Sequence, residues 1–295
     1  SLIQASRAIE VGDSSVIVAG GVESMTRAPW VVGKSGKPFP ANDLAMQSTT
    51  LGWRFTNDRM LDKWTISNGE SAEILAERHE ITRDAQDAFA ARSHRLAAAA
   101  WDSGAYDDET FEVPGTGLTR DEGIRPESSV ESLASLKPAF RKDGTVTAGN
   151  SSPLSGGAAM VLVAAENGPI TGEPLARIAG RGVSGVEPEI FGIGPVEAAN
   201  RALARAGKTW ADVDFMELNE AFASQSLACL ALWPELDPEK VNIHGGAIAM
   251  GHPLGASGAR IIGHAAHELK RRGKGVAVVA ICIGVGQGLA VVLER

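Results

Sequence analysis

Two stretches from opposite ends of the chain repeat one plan, and that repetition restricts the fold more than any other feature of the sequence. "SLIQASRAIEVGDSSVIVAGG" (1–21) and "ARIIGHAAHELKRRGKGVAVVAICIGVG" (259–286) each read as an apolar-faced helix, a glycine near its end, a short polar step, a β-run and a glycine turn. In the first, Leu2, Ile3, Ala5, Ala8 and Ile9 fall at helical spacing closed by Gly12. Two such units point to a duplicated fold. A glycine-rich loop precedes the helix of the second unit, and the matching loop of the first would lie before Ser1. With no initiator Met and no leading loop, the expectation is that the chain starts inside a helix and that something upstream is absent.

Between the two units, "SSVIVAGG" (14–21) reads as a short buried strand, and residues 30–68, rich in Gly, Pro, Asn, Thr and Trp, as mostly loop. Residues 71–100 read as two helices, the second starting near Thr82 with Asp84 in its first turn. "TFEVPG" (110–115) is a candidate strand, and "SVESLASLKPAF" (129–140) a short helix stopped by Pro138. The linker-like "NGPITGEP" (167–174) divides the chain into 1–168, with a loop or insertion region at about 30–150, and 169–295. The second part alternates strands with helices, which implies helices layered on sheet.

Composition narrows the partners. Basic residues number 28 against 36 acidic ones, a net charge of −8 without a Lys/Arg-rich run, which argues against nucleic acid or an anionic membrane. No apolar run reaches membrane-spanning length and no signal peptide opens the chain. Cys229 and Cys282 cannot make a disulfide framework, so a soluble protein of a reducing cytoplasm is expected.

Three places carry possible chemistry. In "NIHGGAIAMGHPLGASGAR" (242–260), glycines at 245, 246, 251, 255 and 258 flank His252, with Pro253 next to it. A histidine in a turn can be structural; glycines on both sides read here as bare backbone that uncovers the imidazole. Cys282 stands between two apolar runs, followed by Gly284, Gly286 and Gly288. It is either a small buried apolar residue or an acid/base thiol beside N–H groups able to hold an oxyanion. Asn219 ends a β-run in "LNEAFA" (218–223), where α/β sites gather, or else caps the following helix. His264, His267 and Glu268 match neither zinc-protease helix signature and read as a solvated helix face; no metal site is expected. His79 and His94 read as surface residues, and the absence of a Rossmann fingerprint disfavours a nicotinamide cofactor.

Together these pieces resemble the thiolases, acyl-CoA:acetyl-CoA C-acyltransferases. The matching stretches are "AGGVESMTRAP", "GTVTAGNSSPLSGGAA", "LNEAFA", "NIHGGAIAMGHPLGASGAR" and "CIGVGQG", collinear over essentially the whole chain. "TTLGWRF", "FGIGPVEA" and "CIGVGQG" look most like the 3-ketoacyl-CoA branch that includes 3-oxoadipyl-CoA thiolases. The resemblance implies an α/β fold of layered αβαβα type with mixed sheets, its first half incomplete here: a partial N-terminal domain (1–168) and a C-terminal domain (169–295). It implies thiolytic cleavage of 3-ketoacyl-CoA by CoA, or the reverse Claisen condensation, in fatty-acid β-oxidation or aromatic catabolism. Coenzyme A and acyl-CoA enter as substrates with no tightly bound cofactor, and the assembly is a homodimer or homotetramer.

It also implies roles. His252 deprotonates the nucleophilic thiol, Cys282 shuttles a proton, Asn219 orients an oxyanion-hole water, and the Gly284 N–H lines a second oxyanion hole. Arg125 and Ser132 face the nucleotide end of coenzyme A; Ala148, Ser152, Leu154, Ala221 and Phe222 line the pantetheine channel. Two departures bear on these roles: Asn68 stands where many relatives have Met, and "SSPLSGG" replaces a commoner pattern around Ser152. The family nucleophile is another cysteine, in a C-x-S-G motif that aligns a few positions before Ser1. The expectation is therefore a thiolase whose N-terminal segment is missing through truncation or an incomplete gene model, and which is inactive alone. A non-catalytic coenzyme A binder, a misfolded remnant and a ketosynthase-type enzyme stay as alternatives.

Overall fold

The helix and strand of the first unit form as their spacing predicts, α1 (Leu2–Glu10) and β1 (Val16–Ser24), in a computed structural model that describes all residues 1–295. The next 131 or so residues leave and return to one end of a single antiparallel ladder. They comprise a short hairpin of β2 (Trp30–Val32) and β3 (Met46–Ser48), then α2 (Asn68–Arg78), α3 (Arg83–Asp102) and α4 (Val130–Ala134). The chain comes back as β4 (Gly156–Ala164), which pairs with β1 from Ser24↔Gly156 to Val16↔Ala164. Residues 110–115 form no strand; Pro114 and Gly115, the latter at φ 82°, break the extended run. Ser67 caps α2, its Oγ accepting from the Glu70 N–H, so that helix begins three residues before the apolar pattern shows it.

The second half builds β5 (Arg177–Gly185), α5 (Gly194–Ala206), β6 (Phe215–Leu218), α6 (Ala223–Ala231), α7 (Ala247–Met250), α8 (Leu254–Arg272), β7 (Val276–Ile283) and β8 (Gln287–Glu294). The sheet order is β5-β8-β7-β6, antiparallel except for the parallel β6–β7 pair. The internal echo is structural: α8, β7 and its antiparallel partner β8 repeat α1, β1 and β4.

β7 is apolar at every position because both of its faces are covered. Val276, Val278 and Ala280 pack with Ala198, Ala199, Ala202 and Leu203 of α5, and with Cys229 and Trp233. Ala277 and Val279 join Leu2 and Ile3 of α1 and Ile261, Ala265 and Leu269 of α8. Full burial of such Val, Leu and Ile side chains contributes about 1.5–3 kcal/mol each. α5 seats deeply because β5 offers no Cβ where they meet: one built on Gly182 would lie 1.8 Å from the Ala198 carbonyl oxygen. α1 and α8 thus form a helical layer between the two sheets, with α5 on the far face of the four-stranded one. The outer face of β1–β4 carries no helix, so β1 is a half-exposed strand rather than a buried one, with Val18 at 65% exposure and Met160 of β4 beside it at 71%. A cavity of about 1960 Å³ lies among α1, β4, β5 and α8; Pro253 and Arg260 line it, but His252, Asn219 and Cys282 do not.

Two surface assignments fail. His94 is 4% exposed, its Nδ1 accepting the Arg125 N–H at 3.2 Å. His264 is 2% exposed and hydrogen-bonded on both ring nitrogens. Charged neighbours in sequence suggested water, but these positions lie on the inward-facing sides of α3 and α8. His79, by contrast, is the half-buried C-cap of α2.

Candidate active site

The site grows from the carboxyl ends of β6 and β7. Their parallel register sets Leu218 beside Ala280, and the Asn219 N–H donates to the Ala280 carbonyl at 3.0 Å. Asn219 and Cys282 therefore leave adjacent strands within two residues of a shared hydrogen bond. Asn219 does not cap α6, whose N-cap is Phe222. Its side chain is 1% exposed, and neither Oδ1 nor Nδ2 has a protein partner. A buried amide left open in this way is a place where a ligand or a bound water completes the hydrogen bonding.

Glu220, the other polar residue of "NEAF", is a bracket. Its carboxyl group accepts from Ser93 Oγ (2.7 Å), Asn242 Nδ2 (2.8 Å) and the Ile248 N–H (3.0 Å). Burial raises its pKa, and those three bonds oppose the rise. Asn242 sits at φ 49°, a left-handed conformation that Asn tolerates, and its side chain pairs with both the N–H and the C=O of Leu218. The start of the histidine loop is thus fastened to the end of β6.

A strip from Asn150 to Ser155 joins the strand ends to His252. The Ser152 N–H and Oγ both donate to the Ala221 carbonyl at 3.1 Å, the Ala223 N–H donates to the Asn150 carbonyl at 2.9 Å, and Ser151 bridges to Phe222. At its far end, Ser155 Oγ accepts the His252 N–H at 3.2 Å. The strip is itself anchored from below: buried Glu73 accepts the N–H groups of Thr145 and Val146, and Asn150 donates to Asp87.

His252 lies between α7 and α8 and is not bare. Its Nδ1 is 2.7 Å from Ser257 Oγ, and that hydroxyl is 2.9 Å from the Pro253 carbonyl, which can only accept. Ser257 has one hydroxyl proton, so it donates to Pro253 and accepts from Nδ1–H. The lone pair is thereby placed on Nε2. Burial, followed by the charge of Arg260, pushes the His252 pKa down to about 4, so the imidazole is neutral at pH 7. Ser257 is fully buried one helical turn along; its spacing of five from His252 was the signal available in the sequence.

The glycines around His252 supply close packing rather than exposure. A Cβ on Gly245 would meet the Ser93 carbonyl at 2.5 Å, on Gly246 the Glu220 carboxyl carbon at 2.3 Å, on Gly251 Ser155 Oγ at 2.3 Å, and on Gly255 the Val22 carbonyl at 2.3 Å. Only Gly258 faces open space. The same correction applies after Cys282. Gly286 and Gly288 press on the backbones of Val186 and Gly194, and Gly284 alone stands open, with Asn68 Oδ1 3.8 Å from a Cβ built on it.

Cys282 packs against Phe191, Ala221 and Phe222, and burial pushes its thiol up to about 12. It is a protonated thiol at pH 7, able to give or regain a proton and unable to serve as a standing thiolate. Cys229 lies within α6, donates to the Gly192 carbonyl at 3.3 Å, and is also raised by burial.

The remaining positions divide. Ala221 is buried and Phe222 half-buried beside the strip, the Phe222 ring standing edge-on to Phe140 at 5.9 Å. Ala148 and Leu154 are exposed along it. Arg125 is exposed, and its guanidinium reaches the Gly123 carbonyl at 3.4 Å. Ser132 is spent on a capping box with Ser129 at the start of α4, donating to the Ser129 carbonyl at 2.9 Å. No hydrogen bond ties Arg125 or Ser132 to the strip.

The thiolase N-terminal domain family matches residues 1–167 and the thiolase C-terminal domain family residues 172–295. This chain belongs to the thiolase family. It is 46% identical over 302 residues to the 3-oxoadipyl-CoA/3-oxo-5,6-dehydrosuberyl-CoA thiolase of Escherichia coli K12, covering 99% of this chain and 75% of that protein. Identity to the beta-ketoadipyl-CoA thiolase of Pseudomonas putida is 44%, covering 98% and 74%. Among solved structures, human mitochondrial 3-ketoacyl-CoA thiolase in complex with CoA superposes with a TM-score of 0.90 at 40% identity, covering all of this thiolase and 74% of that chain. The acetyl-CoA acetyltransferase of Bacillus anthracis gives 0.87 at 41% identity, covering 100% and 75%. The α/β layering and the acyltransferase family expected from the sequence are both shown. No helix of this thiolase is long and apolar enough to cross a membrane.

Proposed function

We propose that this thiolase polypeptide exchanges acyl groups between coenzyme A thioesters, with His252, Cys282, Asn219 and the Gly284 N–H as its reacting or stabilising groups. The observation that carries this reading is the open, buried amide of Asn219, hydrogen-bonded through its backbone beside the strand of Cys282. A neutral His252 with its lone pair on Nε2 is set up to take a proton from a thiol, whether of the enzyme or of coenzyme A. Cys282, held as a thiol, supplies the proton that an acetyl-CoA carbanion needs when the C–C bond breaks, and takes it back in the condensing direction. That carbanion carries its charge on the thioester oxygen, so donors must face it. Asn219 Nδ2, through a water, and the Gly284 N–H, which makes no backbone hydrogen bond, are suited to this.

The substrate class we favour is a 3-oxoacyl-CoA with a polar acyl end, on the strength of relatives named for 3-oxoadipyl-CoA and of Asn68 beside Gly284. We further propose the division at 168/169, a homodimer or homotetramer, a cytoplasmic setting, and coenzyme A laid along Ala148, Ser152, Leu154, Ala221 and Phe222. Exposed Arg125 and Ser132 are assigned to the nucleotide end, Arg125 through its charge, since the Ser132 hydroxyl is committed to capping.

Neither cysteine of these 295 residues is a nucleophile at a helix N-terminus, so the covalent route needs a thiol from elsewhere in a thiolase polypeptide. The test is a chimera: the segment of the E. coli relative outside the alignment, joined ahead of Ser1, assayed for CoA-dependent cleavage of 3-oxoadipyl-CoA. Activity is expected, with His252→Ala and Cys282→Ala each losing on the order of 10²–10⁴-fold. A folded chimera that binds CoA in a calorimeter and cleaves no thioester would overturn the catalytic reading in favour of a binding protein.

A further inference from the structure

A second set of titratable groups, unused by the chemistry above, meets beneath the histidine loop. His244 on that loop, His264 on α8 and Glu109 in the turns after α3 are joined end to end. His244 Nδ1 lies 3.0 Å from His264 Nε2, and His264 Nδ1 is hydrogen-bonded to Glu109 Oε1. Tyr106, three residues before Glu109, donates its hydroxyl to the His244 carbonyl at 2.8 Å, and its ring lies 4.9 Å from that of His264. One short segment after α3 therefore holds the His244 backbone directly, through Tyr106, and its side chain at one remove, through His264. Eight residues further along the same loop stands His252.

We propose that Glu109, His264 and His244 are positioning residues, a proton-carrying chain that fastens the 242–250 loop and so sets where the His252 backbone lies. The proton bookkeeping closes in both states. In the neutral state, His264 Nδ1–H donates to Glu109, His244 Nδ1–H donates to His264 Nε2, and His244 Nε2 holds a lone pair. On uptake, a proton from water binds His244 Nε2, the proton on His244 Nδ1 passes to His264 Nε2, and His244 is left neutral in its other tautomer. One proton has entered, the charge rests on His264, and every hydrogen bond of the chain survives. The half-buried His244 is the entry and the buried His264 is the store.

The groups facing each ring decide where the charge sits. Burial works against a charged His264, as does Arg260 of α8, but the bond to Glu109 prevails and raises its pKa, together with the charge of Glu109 and, where it is ionised, of Glu217 on β6. His244 meets burial, His264 and Arg271 against Glu268 and Glu109, and is pushed down to about 4. Tyr106 stays protonated, its pKa raised by burial and the charge of Glu217, with Asp121 also facing it. The His264 contribution to stability is thus fully present below its unfolded value of 6.5 and is lost as pH rises through its raised folded pKa. Deprotonation turns a charge-assisted tie into a neutral one, and the loop is held less firmly.

The test is long-range ¹H–¹⁵N NMR of the imidazoles, with amide hydrogen exchange, on the 295-residue chain and on Glu109→Gln. Expected in the native chain are a His264 midpoint above 6.5, a tautomer change of His244 at that same midpoint, and slower exchange of amides 243–252 on the acid side after correction for intrinsic rates. Glu109→Gln, a near-isosteric change at a side chain 12% exposed, should lower the His264 midpoint and speed exchange of 243–252 at pH 6 by about tenfold while leaving β7 unchanged. Glu109→Asp should restore part of both effects. A His264 midpoint at or below 6.5, or one that Glu109→Gln does not move, overturns the proposal; so does exchange of 243–252 that ignores pH. None of these readings depends on acyl transfer, so they stand apart from the catalytic proposal.

Discussion

Gly255 offers the sharpest test of how the histidine loop is held. It is the second residue of α8, packed directly onto β1: a Cβ there would lie 2.3 Å from the Val22 carbonyl oxygen and 3.1 Å from its carbon. The reverse contact is as tight, since a Cβ on Gly21 would lie 1.9 Å from the Gly255 carbonyl oxygen. Ordinary non-bonded contact needs about 1 Å more, and both partners are backbone, so the helix start must move by that amount. Overpacking of this kind costs about 1–3 kcal/mol. Gly258→Ala in the same helix is the control: nothing lies within 4 Å of its Cβ, and the change should stabilise by about 0.5–1 kcal/mol through helix propensity. The assay is urea unfolding of both variants at pH 7, with the imidazole NMR signals of His252 recorded alongside. Gly255→Ala should lose stability and shift the His252 signals, because His252 and Pro253 precede the displaced turn. In the chimera it should lower kcat/KM by about 10²-fold, the penalty of a misplacement near 1 Å. Wild-type stability and unmoved His252 signals in Gly255→Ala would refute the claim that α8 is seated by backbone-to-backbone contact.

Three further outcomes are expected. Ser257→Ala removes the acceptor for His252 Nδ1–H; ¹⁵N shifts should show His252 leaving the single Nδ1–H tautomer, with about 1–3 kcal/mol lost for the stranded donor. Thiol titration at pH 8 should detect neither Cys229 nor Cys282 in the folded chain and both after denaturation, because burial closes each to reagent and raises each pKa. Glu217 is fully buried with Oε1 unpartnered, and burial, opposed by His264 and Arg260, raises its pKa from 4.5 to about 7. The unfolded chain releases that proton above 4.5 and the folded chain keeps it to about 7, so the residue lowers stability progressively across that window, by about 3 kcal/mol at its upper end. Glu217→Gln should match the native chain near pH 4 and exceed it at pH 8; equal pH profiles of unfolding would reject this.

The repeated helix–strand plan, the alternation of elements and the polar residues at strand ends were legible in the amino-acid order, because periodicity and glycine turns are local properties. From them came the duplicated α/β layering, and with the motif resemblance came Asn219, His252 and Cys282. What the order could not show was which groups face which. His252 looked uncovered because its neighbours lack side chains; the folded chain uses those gaps to bring Ser93, Glu220, Ser155 and Val22 within contact. His94 and His264 looked like surface residues because their sequence neighbours are charged, whereas the turns of α3 and α8 aim them inward.

Sequence alone determined the secondary-structure plan and the family, since both depend on residues near one another or on residue types at fixed offsets. Tertiary structure alone decided the tautomer of His252, the protonated state of Cys282 and the Glu109–His264–His244 chain. The last two depend on burial and on partners brought from distant segments, and the first on the turn that folds Ser257 and Pro253 back onto the His252 ring, which residue order alone does not show.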